Sequence, residues 1–335
     1  MVEWLQASPT KRKKILRTVS RATRLSGRAV EKDWWVTLAL FAIFKTPYAQ
    51  HLVFKGGTSL SKAWGLIERF SEDVDLVLDR SALGFEGELS KTQIAKLRKA
   101  SCAFISGAFR SAVCNQLLEI GVEEDVFSLE AAFCEDSDRD PQILHLHYRS
   151  DLASAAYLRS EVLIEIGARS LSEPAMPTPI TSIISQVLGE KSIAGKPFNV
   201  LSVIPERTFL EKMFLLHEEF RKPLEKIRHE RMSRHLYDLE KIMDTAFGRN
   251  ALSDIALYQT IVEHRRRFNA MKGTNYDSHS PRTLCFMPGE NVMLNWERDY
   301  RSMQENMIYG KSLPFDNLIS RLQELESRVR LIDFS

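Results

Sequence analysis

The sequence predicts an α+β protein, with strands and helices mixed in its first part and helices alone in its last part. Short apolar runs of strand length, bounded by glycine or charged residues, fall within residues 51–166. From residue 208 onward, apolar residues recur instead at the 3.6-residue spacing of helices. A chain of 335 residues is also long enough for two domains, which we expect at residues 1–200 and 201–335.

The elements follow from these patterns in chain order. Helices are predicted across residues 10–46, the second opening after Gly27, and another helix is predicted from Ser59. The predicted strands cover residues 51–55, 74–78, 126–133, 143–149 and 161–166. Beyond the proline-rich residues 174–179 the pattern turns helical. The later helices are predicted at residues 208–220, 228–246, 253–268 and 315–331, with one earlier at about 90–120 and a loop over 270–290.

Composition indicates an ordinary globular protein and excludes several classes. Hydrophobic residues make up 44% and charged residues 27% of the chain, which excludes disorder, collagen and coiled-coil rods. The longest apolar run, residues 34–44, is shorter than the roughly 20 residues that cross a bilayer, and no signal peptide is visible. We therefore expect a cytoplasmic protein without membrane contact. The cysteines lack disulfide or metal-ligand spacing and are predicted to be buried thiols: Cys102, Cys114, Cys134 and Cys285.

Basic residues are concentrated in three places in a nearly neutral chain. Residues 1–30 carry a single acid, Glu3, and eight basic residues: Lys11, Arg12, Lys13, Lys14, Arg17, Arg21, Arg24 and Arg28. Further clusters lie at residues 221–234 and 265–267. Such clusters can neutralise the phosphates of a polyanionic partner, although solvated helix faces have the same composition.

Small residues followed by two carboxylates form the segment with the clearest chemistry. The run Gly56-Gly57-Thr58-Ser59 lies between a predicted strand and a predicted helix. Glycines let backbone amides approach a phosphate, and a serine hydroxyl can donate to a phosphate oxygen. On the next strand, Asp73 and Asp75 are two residues apart and point to one face, where they repel unless a cation lies between them. Mg²⁺ suits such oxygen ligands and also binds substrate phosphates.

A third acid is expected on the strand at residues 161–166. Glu165 can complete a three-carboxylate metal site if its strand lies beside that of Asp73 and Asp75. Glu161 shares the same face by the two-residue period, so either acid fits the pattern. His145 and His147 alternate on another predicted strand without a partner motif and are interpreted as ordinary polar residues.

At these residues the sequence resembles a known family. The run FKGGTSLSKAWGLIERFSEDVDL at residues 54–76 is similar to the signature of the AbiEii nucleotidyltransferase toxins, which include the mycobacterial MenT toxins. Residues 299–310 and 314–326 also resemble the tail of that family. The resemblance implies a minimal polymerase-β-like nucleotidyltransferase core with a mixed sheet and flanking helices, followed by a C-terminal helical domain. The lysine and aspartate that this family carries on later helices match Lys212 and Asp238.

The resemblance implies an Mg²⁺-dependent enzyme that moves a nucleoside monophosphate from an NTP to an acceptor and releases pyrophosphate. Asp73, Asp75 and Glu165 would hold the metals, and Asp238 would orient Lys212 or the nucleotide. The NTP would be bound by Lys212, from the helical domain lining the nucleotide cleft, and by the loop Lys55, Gly56, Gly57, Thr58 and Ser59. As a toxin of a bacterial toxin–antitoxin or abortive-infection system, the protein would have a cognate antitoxin and an RNA acceptor, most simply the 3′ end of tRNA. The alternatives are transfer to a protein side chain and a non-catalytic nucleic-acid-binding regulator.

Overall fold

The structure is a computed structural model that describes residues 1–132, 140–152, 159–169, 172–269 and 275–333. The chain forms two compact units. The first, here called the sheet unit, comprises Met1–Trp64 and Phe70–Val203. The second, the helical unit, comprises Gly65–Arg69 and Ile204–Ser335.

A seven-stranded sheet forms the centre of the sheet unit. Its strands are β1 Leu52–Lys55, β2 Val74–Leu78, β3 Phe127–Ala131, β4 Gln142–Tyr148, β5 Glu161–Gly167, β6 Ala175–Ile180 and β7 Phe198–Val203. They are ordered β3-β4-β5-β2-β1-β7-β6 across the sheet. β2 runs parallel to β5 and β1 parallel to β7, while the other neighbours are antiparallel. The mixed sheet confirms the predicted fold class.

Several helices of the sheet unit begin where a serine supplies a cap. They are α1 Val2–Gln6, α2 Pro9–Thr23, α3 Gly27–Ile43, α4 Gly56–Lys62, α5 Lys91–Phe104, α6 Arg110–Ile120 and α7 Ile183–Leu188. The hydroxyls of Ser8 and Ser26 accept hydrogen bonds from the third amide of α2 and of α3, and Pro9 occupies the first position of α2. A π-helical turn, Ile105–Phe109, joins α5 to α6, so the helix predicted at about 90–120 is continuous.

The two faces of the sheet differ in polarity because strand side chains alternate. One face carries Phe54, Leu76, Leu144 and Ile164, which are all buried. The opposite face is called the polar face here. It is defined by the ionisable side chains of four strands: Lys55, Asp75, His145, His147, Glu161 and Glu165. The predicted carboxylates Asp75 and Glu165 therefore share one surface of the sheet.

Two strands, β6 and β7, were missed, so the prediction that the chain is helical beyond residues 174–179 is wrong at β7. β6 contains Pro177 and Pro179, which cannot donate backbone hydrogen bonds and are normally excluded from strands. The strand forms because it lies at the edge of the sheet, where it pairs with β7 alone. β7 then leads back to β1, and the helices resume at Pro205.

The helical unit contains six α-helices in its described part. They are α8 Pro205–Phe220, α9 Ser233–Met243, α10 Ala246–Ser253, α11 Ile255–His264, α12 Glu290–Asn306 and α13 Phe315–Arg330. The helix predicted at 228–246 is shorter, because Thr245 caps a new helix by accepting a hydrogen bond from the Gly248 amide at 3.2 Å. α12 was not predicted. Among the described residues, no helix is both long and apolar enough to cross a membrane.

The described cysteines are half-buried, not buried as predicted. Cys102 and Cys114 each follow a buried residue, Ser101 on α5 and Val113 on α6, and lie at the edge of the buried face of their helix. Cys285 is likewise half-buried. Cys134, together with the end of the strand predicted to reach residue 133, lies outside the described residues.

Candidate active site

Two predicted acids lie side by side on the polar face of the sheet. Asp75 is paired with Glu165 across the parallel β2–β5 ladder and with Lys55 across the antiparallel β1–β2 ladder. Asp73 lies two residues before Asp75, just ahead of β2. All four side chains are half-buried, so they remain accessible to a ligand.

The glycine run packs directly against one of these carboxylates. It forms the first turn of α4, which begins at Gly56 and not at Ser59 as predicted, and it is called the glycine loop here. Gly56 has a φ of +80°, and a Cβ added there would lie 2.0 Å from Oδ2 of Asp75. Both the backbone conformation and the close approach therefore require glycine at this position. Gly57 follows in the first turn of α4.

The two residues after the glycines are buried beneath the loop. The Thr58 hydroxyl donates a hydrogen bond to the backbone carbonyl of Asp73 and lies 2.8 Å from Oγ of Ser71. Thr58 thus ties the loop to residues 71–75, called the acidic run here because they contain Glu72, Asp73 and Asp75. Ser59 is 1% exposed, and its Oγ has no hydrogen-bond partner in the described part of the chain. A buried hydroxyl without a partner is costly, so it marks a place where a ligand oxygen would be favourable.

Two buried charged residues on α3 were missed by sequence reasoning, and one of them, Lys32, holds the acidic run. The Lys32 ammonium lies 2.6 Å from a carboxylate oxygen of Glu72, the residue before Asp73. Asp33 accepts a 2.7 Å hydrogen bond from the amide of Ile183. Lys32 and Asp33 are 5% and 4% exposed. The available signal was the run Glu-Lys-Asp inside an otherwise apolar helix, since charges are rarely buried there without a partner.

The predicted lysine and aspartate of the helical unit form a buried ionic cluster with Arg69. Asp238 accepts two 2.7 Å hydrogen bonds from the Arg69 guanidinium and lies 2.9 Å from the Lys212 ammonium. Asp238 is fully buried, Arg69 is 2% exposed and Lys212 is 6% exposed. The cluster therefore contains two cationic side chains around one carboxylate, and Arg69 joins it as a salt-bridge partner.

Burial and charge shift the ionisation of this cluster. Burial lowers the pKa of Lys212, and the nearby Asp238 only partly opposes that shift. The pKa of Asp238 is well below its usual range, because the two cations outweigh the effect of burial. Burial, followed by the charge of Lys212, lowers the pKa of His235, whose Nδ1 is 3.4 Å from the Lys212 amine. An anion approaching Lys212 would favour its charged form.

A second group of potential metal ligands lies on the polar face. Two of its members are histidines that the sequence analysis interpreted as ordinary polar residues. Donor atoms of His145, His147 and Glu161 all lie within 4.8 Å of one another, so this group could hold a metal ion. It includes Glu161, the alternative third acid, but not Asp73, Asp75 or Glu165. Sequence patterns did not link these histidines to a partner, because Glu161 lies on a different strand, β5.

The basic clusters differ in how much of their charge is available. In the helical unit, Lys222 and Arg228 both contact Glu219, and Arg265 contacts Glu218. On α2, Arg12 contacts Asp151 and donates to two backbone carbonyls. The remaining basic residues of α2 are exposed: Lys11, Lys13, Lys14, Arg17 and Arg21. These five residues are called the α2 basic surface below.

Comparison with known proteins gives a family match over most of the chain. A family model described as the nucleotidyl transferase AbiEii toxin of a type IV toxin–antitoxin system matches residues 38–321. Two solved structures from Helicobacter pylori are similar at 14% identity over 91% of this chain. One is JHP933, matched over 93% of its length with a TM-score of 0.42, and the other is described as a candidate nucleotidyltransferase, matched over 96% with a TM-score of 0.43. No curated protein matches significantly.

Proposed function

Because the chain belongs to the AbiEii nucleotidyltransferase toxin family, we propose that it transfers a nucleoside monophosphate from an NTP to an acceptor hydroxyl and releases pyrophosphate. The observation that carries this proposal is the pairing of Asp75 with Glu165 directly beside the Gly56 backbone. Two adjacent carboxylates against a glycine loop combine ligands for a hard cation with room for a phosphate.

The acids fit Mg²⁺ as the metal. Asp73, Asp75 and Glu165 offer the oxygen ligands that Mg²⁺ prefers, and the ion would neutralise charge on the NTP phosphates. Glu165 is the better third acid, because it is the register partner of Asp75. Glu161 lies four residues further along β5, roughly 13 Å away at 3.3 Å per residue, and contacts His145 instead. Glu165 would also accept the proton of the attacking hydroxyl.

The glycine loop would supply the phosphate contacts, and the family resemblance implies one more from Lys212. Lys55 and the backbone of Gly57 would approach the triphosphate, and the unpartnered Ser59 hydroxyl would donate to it after a small shift of the loop. Thr58 would act indirectly by holding the loop against Asp73. Lys212 would add a cation whose charge is only partly balanced by Asp238. In this proposal the sheet unit is the nucleotidyltransferase domain and the helical unit is the supporting domain. The expected division at residues 1–200 and 201–335 differs from these units, because β7 ends at Val203 and Gly65–Arg69 belong to the helical unit.

An RNA acceptor, such as the 3′ end of tRNA, is favoured by the α2 basic surface. Lys13, Arg17 and Arg21 follow one another at four-residue spacing along one side of α2. Replacing these three by glutamine should weaken RNA binding and lower the slope of log K against log salt by about 0.7 to 0.9 for each phosphate that the protein no longer neutralises. NTP binding should not change. Arg12 is left intact because its contacts with Asp151 are structural. An unchanged salt slope would exclude this surface as the RNA site.

The main test asks which macromolecule becomes labelled. The purified chain is incubated with Mg²⁺, total RNA and each labelled NTP in turn, and the RNA and protein fractions are separated. Asp75→Asn and Glu165→Gln should abolish labelling, whereas Glu123→Gln, which changes an exposed glutamate outside the proposed site, should retain it. Labelling by Asp75→Asn equal to the wild type would refute the proposal. Label in protein instead of RNA would identify the alternative acceptor.

A second candidate function, a non-catalytic nucleic-acid-binding regulator, is favoured by the α2 basic surface alone. Growth under induced expression separates it from the enzyme. If the enzyme is the toxin, expression should arrest growth, a cognate antitoxin should relieve the arrest, and Asp75→Asn should be harmless. If the protein acts only by binding, Asp75→Asn should stay toxic and the substitution of Lys13, Arg17 and Arg21 should remove toxicity.

A further inference from the structure

The group formed by His145, His147 and Glu161 has the arrangement of a ligand set for a transition metal. β4 and β5 are antiparallel neighbours, and their register places His147 opposite Glu161 and His145 opposite Leu163. Residues opposite each other across two strands share a face, so both imidazoles and the carboxylate lie on the polar face. Their donor atoms converge to within 4.8 Å.

The side chains are held in this arrangement by their own contacts. Nδ1 of His145 forms a hydrogen bond with Oε1 of Glu161, and Glu161 is 9% exposed. The rings of His145 and His147 are stacked, with centroids 5.9 Å apart and planes inclined by 14°. A simple imidazole–carboxylate pair needs only one histidine. The second histidine, exposed and aligned with the first, leaves the group open on the solvent side, where an ion could enter.

We propose that His145, His147 and Glu161 bind Zn²⁺. Two imidazole nitrogens and one carboxylate oxygen suit Zn²⁺, whereas Mg²⁺ prefers oxygen ligands alone. In a tetrahedral site with bonds of roughly 2.0 to 2.1 Å, donor atoms lie about 3.3 Å apart, so donors now up to 4.8 Å apart would have to approach by at most about 1.5 Å. The fourth ligand is water or the exposed Glu130, which is the cross-strand neighbour of His145 on β3.

This zinc site is separate from the proposed nucleotidyltransferase site. Glu161 and Glu165 are four residues apart on β5, roughly 13 Å along the strand, whereas paired catalytic metals lie about 3.5 to 4 Å apart. Zn²⁺ would instead join β4 to β5 by bonds between side chains. It would therefore stiffen the strand that carries Glu165 without contacting Glu165.

Isothermal titration of Zn²⁺ into the chelator-treated full-length chain tests the proposal. The wild type should bind one equivalent. His147→Ala should weaken that binding by at least about tenfold, the lower end of the loss that supporting residues alone can cause. His147 is exposed, so this variant should keep its fold, and His229→Ala removes another exposed histidine as the matched control. His145→Ala and Glu161→Gln should weaken binding as well.

Thermal unfolding of the same proteins gives a second measurement. Zn²⁺ should raise the Tm of the wild type and of His229→Ala, because a ligand that binds only the folded state stabilises it, and should not raise that of His147→Ala. Equal zinc affinity in His147→Ala and the wild type would overturn the proposal, as would a wild-type dissociation constant above about 10 µM. Mg²⁺ competing with Zn²⁺ at equal concentration would also overturn it.

Discussion

Replacing Gly56 by alanine should separate the stability of the glycine loop from its function. At a φ of +80° a non-glycine residue costs about 1 to 2 kcal/mol. For a unit of this size, 1 kcal/mol lowers the Tm by roughly 2 to 4 °C, so a decrease of about 2 to 8 °C is expected. The fold should survive, because the clashing atoms all belong to one side chain, that of Asp75: Oδ2 at 2.0 Å, Cγ at 2.8 Å and Cβ at 3.1 Å.

The effect of Gly56→Ala on transfer should be far larger than its effect on stability. The new methyl group would lie 2.0 Å from Oδ2 of Asp75, and ordinary contact begins at 3.4 Å, so the carboxylate must move by more than 1 Å. A displacement of about 1 Å in a reacting assembly can lower the rate roughly 100-fold. We expect a loss of transfer of at least that order.

Gly84→Ala is the matched control. Gly84 has a φ of +77°, and no atom lies within 4 Å of its added Cβ. It therefore introduces the same backbone strain without displacing a carboxylate. Gly56→Ala should lose at least as much stability in thermal unfolding as Gly84→Ala, because it also displaces Asp75, and only Gly56→Ala should fail to incorporate labelled nucleotide. If the two variants transfer nucleotide equally well, the contact between Gly56 and Asp75 does not matter for catalysis and the reasoning is wrong.

Three further predictions follow from buried contacts. Thr58→Val should cost about 1 to 3 kcal/mol in urea unfolding, because the Asp73 carbonyl loses its donor, and Thr58→Ser should restore most of that stability. Lys212→Met should weaken NTP binding in calorimetry, and unchanged NTP affinity would contradict a role for Lys212 in binding the triphosphate. Its loss of folding stability should be smaller than the roughly 3 to 5 kcal/mol of a broken buried ion pair, because Asp238 keeps Arg69 as a second cationic partner. Burial lowers the pKa of His217 to about 4 in the folded protein. Below about pH 6.5 the unfolded state therefore binds more protons than the folded state, and the free energy of unfolding should fall by up to about 3 kcal/mol as the pH is lowered to about 4. The free energy of unfolding of His217→Gln should fall less over the same pH range, and identical pH profiles for this variant and the wild type would disprove the prediction.

The sequence was informative wherever the signal was local. The order of strand, glycine loop, helix and strand at residues 52–78 was predictable, because Gly56-Gly57 and the alternating aspartates carry their meaning within a few residues. The sequence did not predict that β2 pairs with β5; this pairing was only the condition under which Glu165 could join Asp73 and Asp75 in one metal site. Strand order depends on packing across the whole unit, which periodicity does not report.

The contacts that sequence patterns did not reveal join distant residues. Arg69 and Asp238 are 169 positions apart, and Lys32 and Glu72 are 40 apart. Nothing near either residue of such a pair identifies its partner. β6 was missed for a different reason: its prolines argue against a strand everywhere except at a sheet edge, and the edge position is itself a property of the tertiary fold.

The contacts around the acidic run imply that it is organised before any ligand binds. Lys32 holds Glu72, Thr58 holds the carbonyl of Asp73, and the Gly56 backbone lies against Asp75. Holding like charges together opposes folding, and a preorganised set of carboxylates binds a cation without further rearrangement. Substitutions of the residues that hold the run should therefore lower stability and activity together. Removing one of the carboxylates relieves repulsion, so the Asp75→Asn variant should lose activity while its stability is kept or increased.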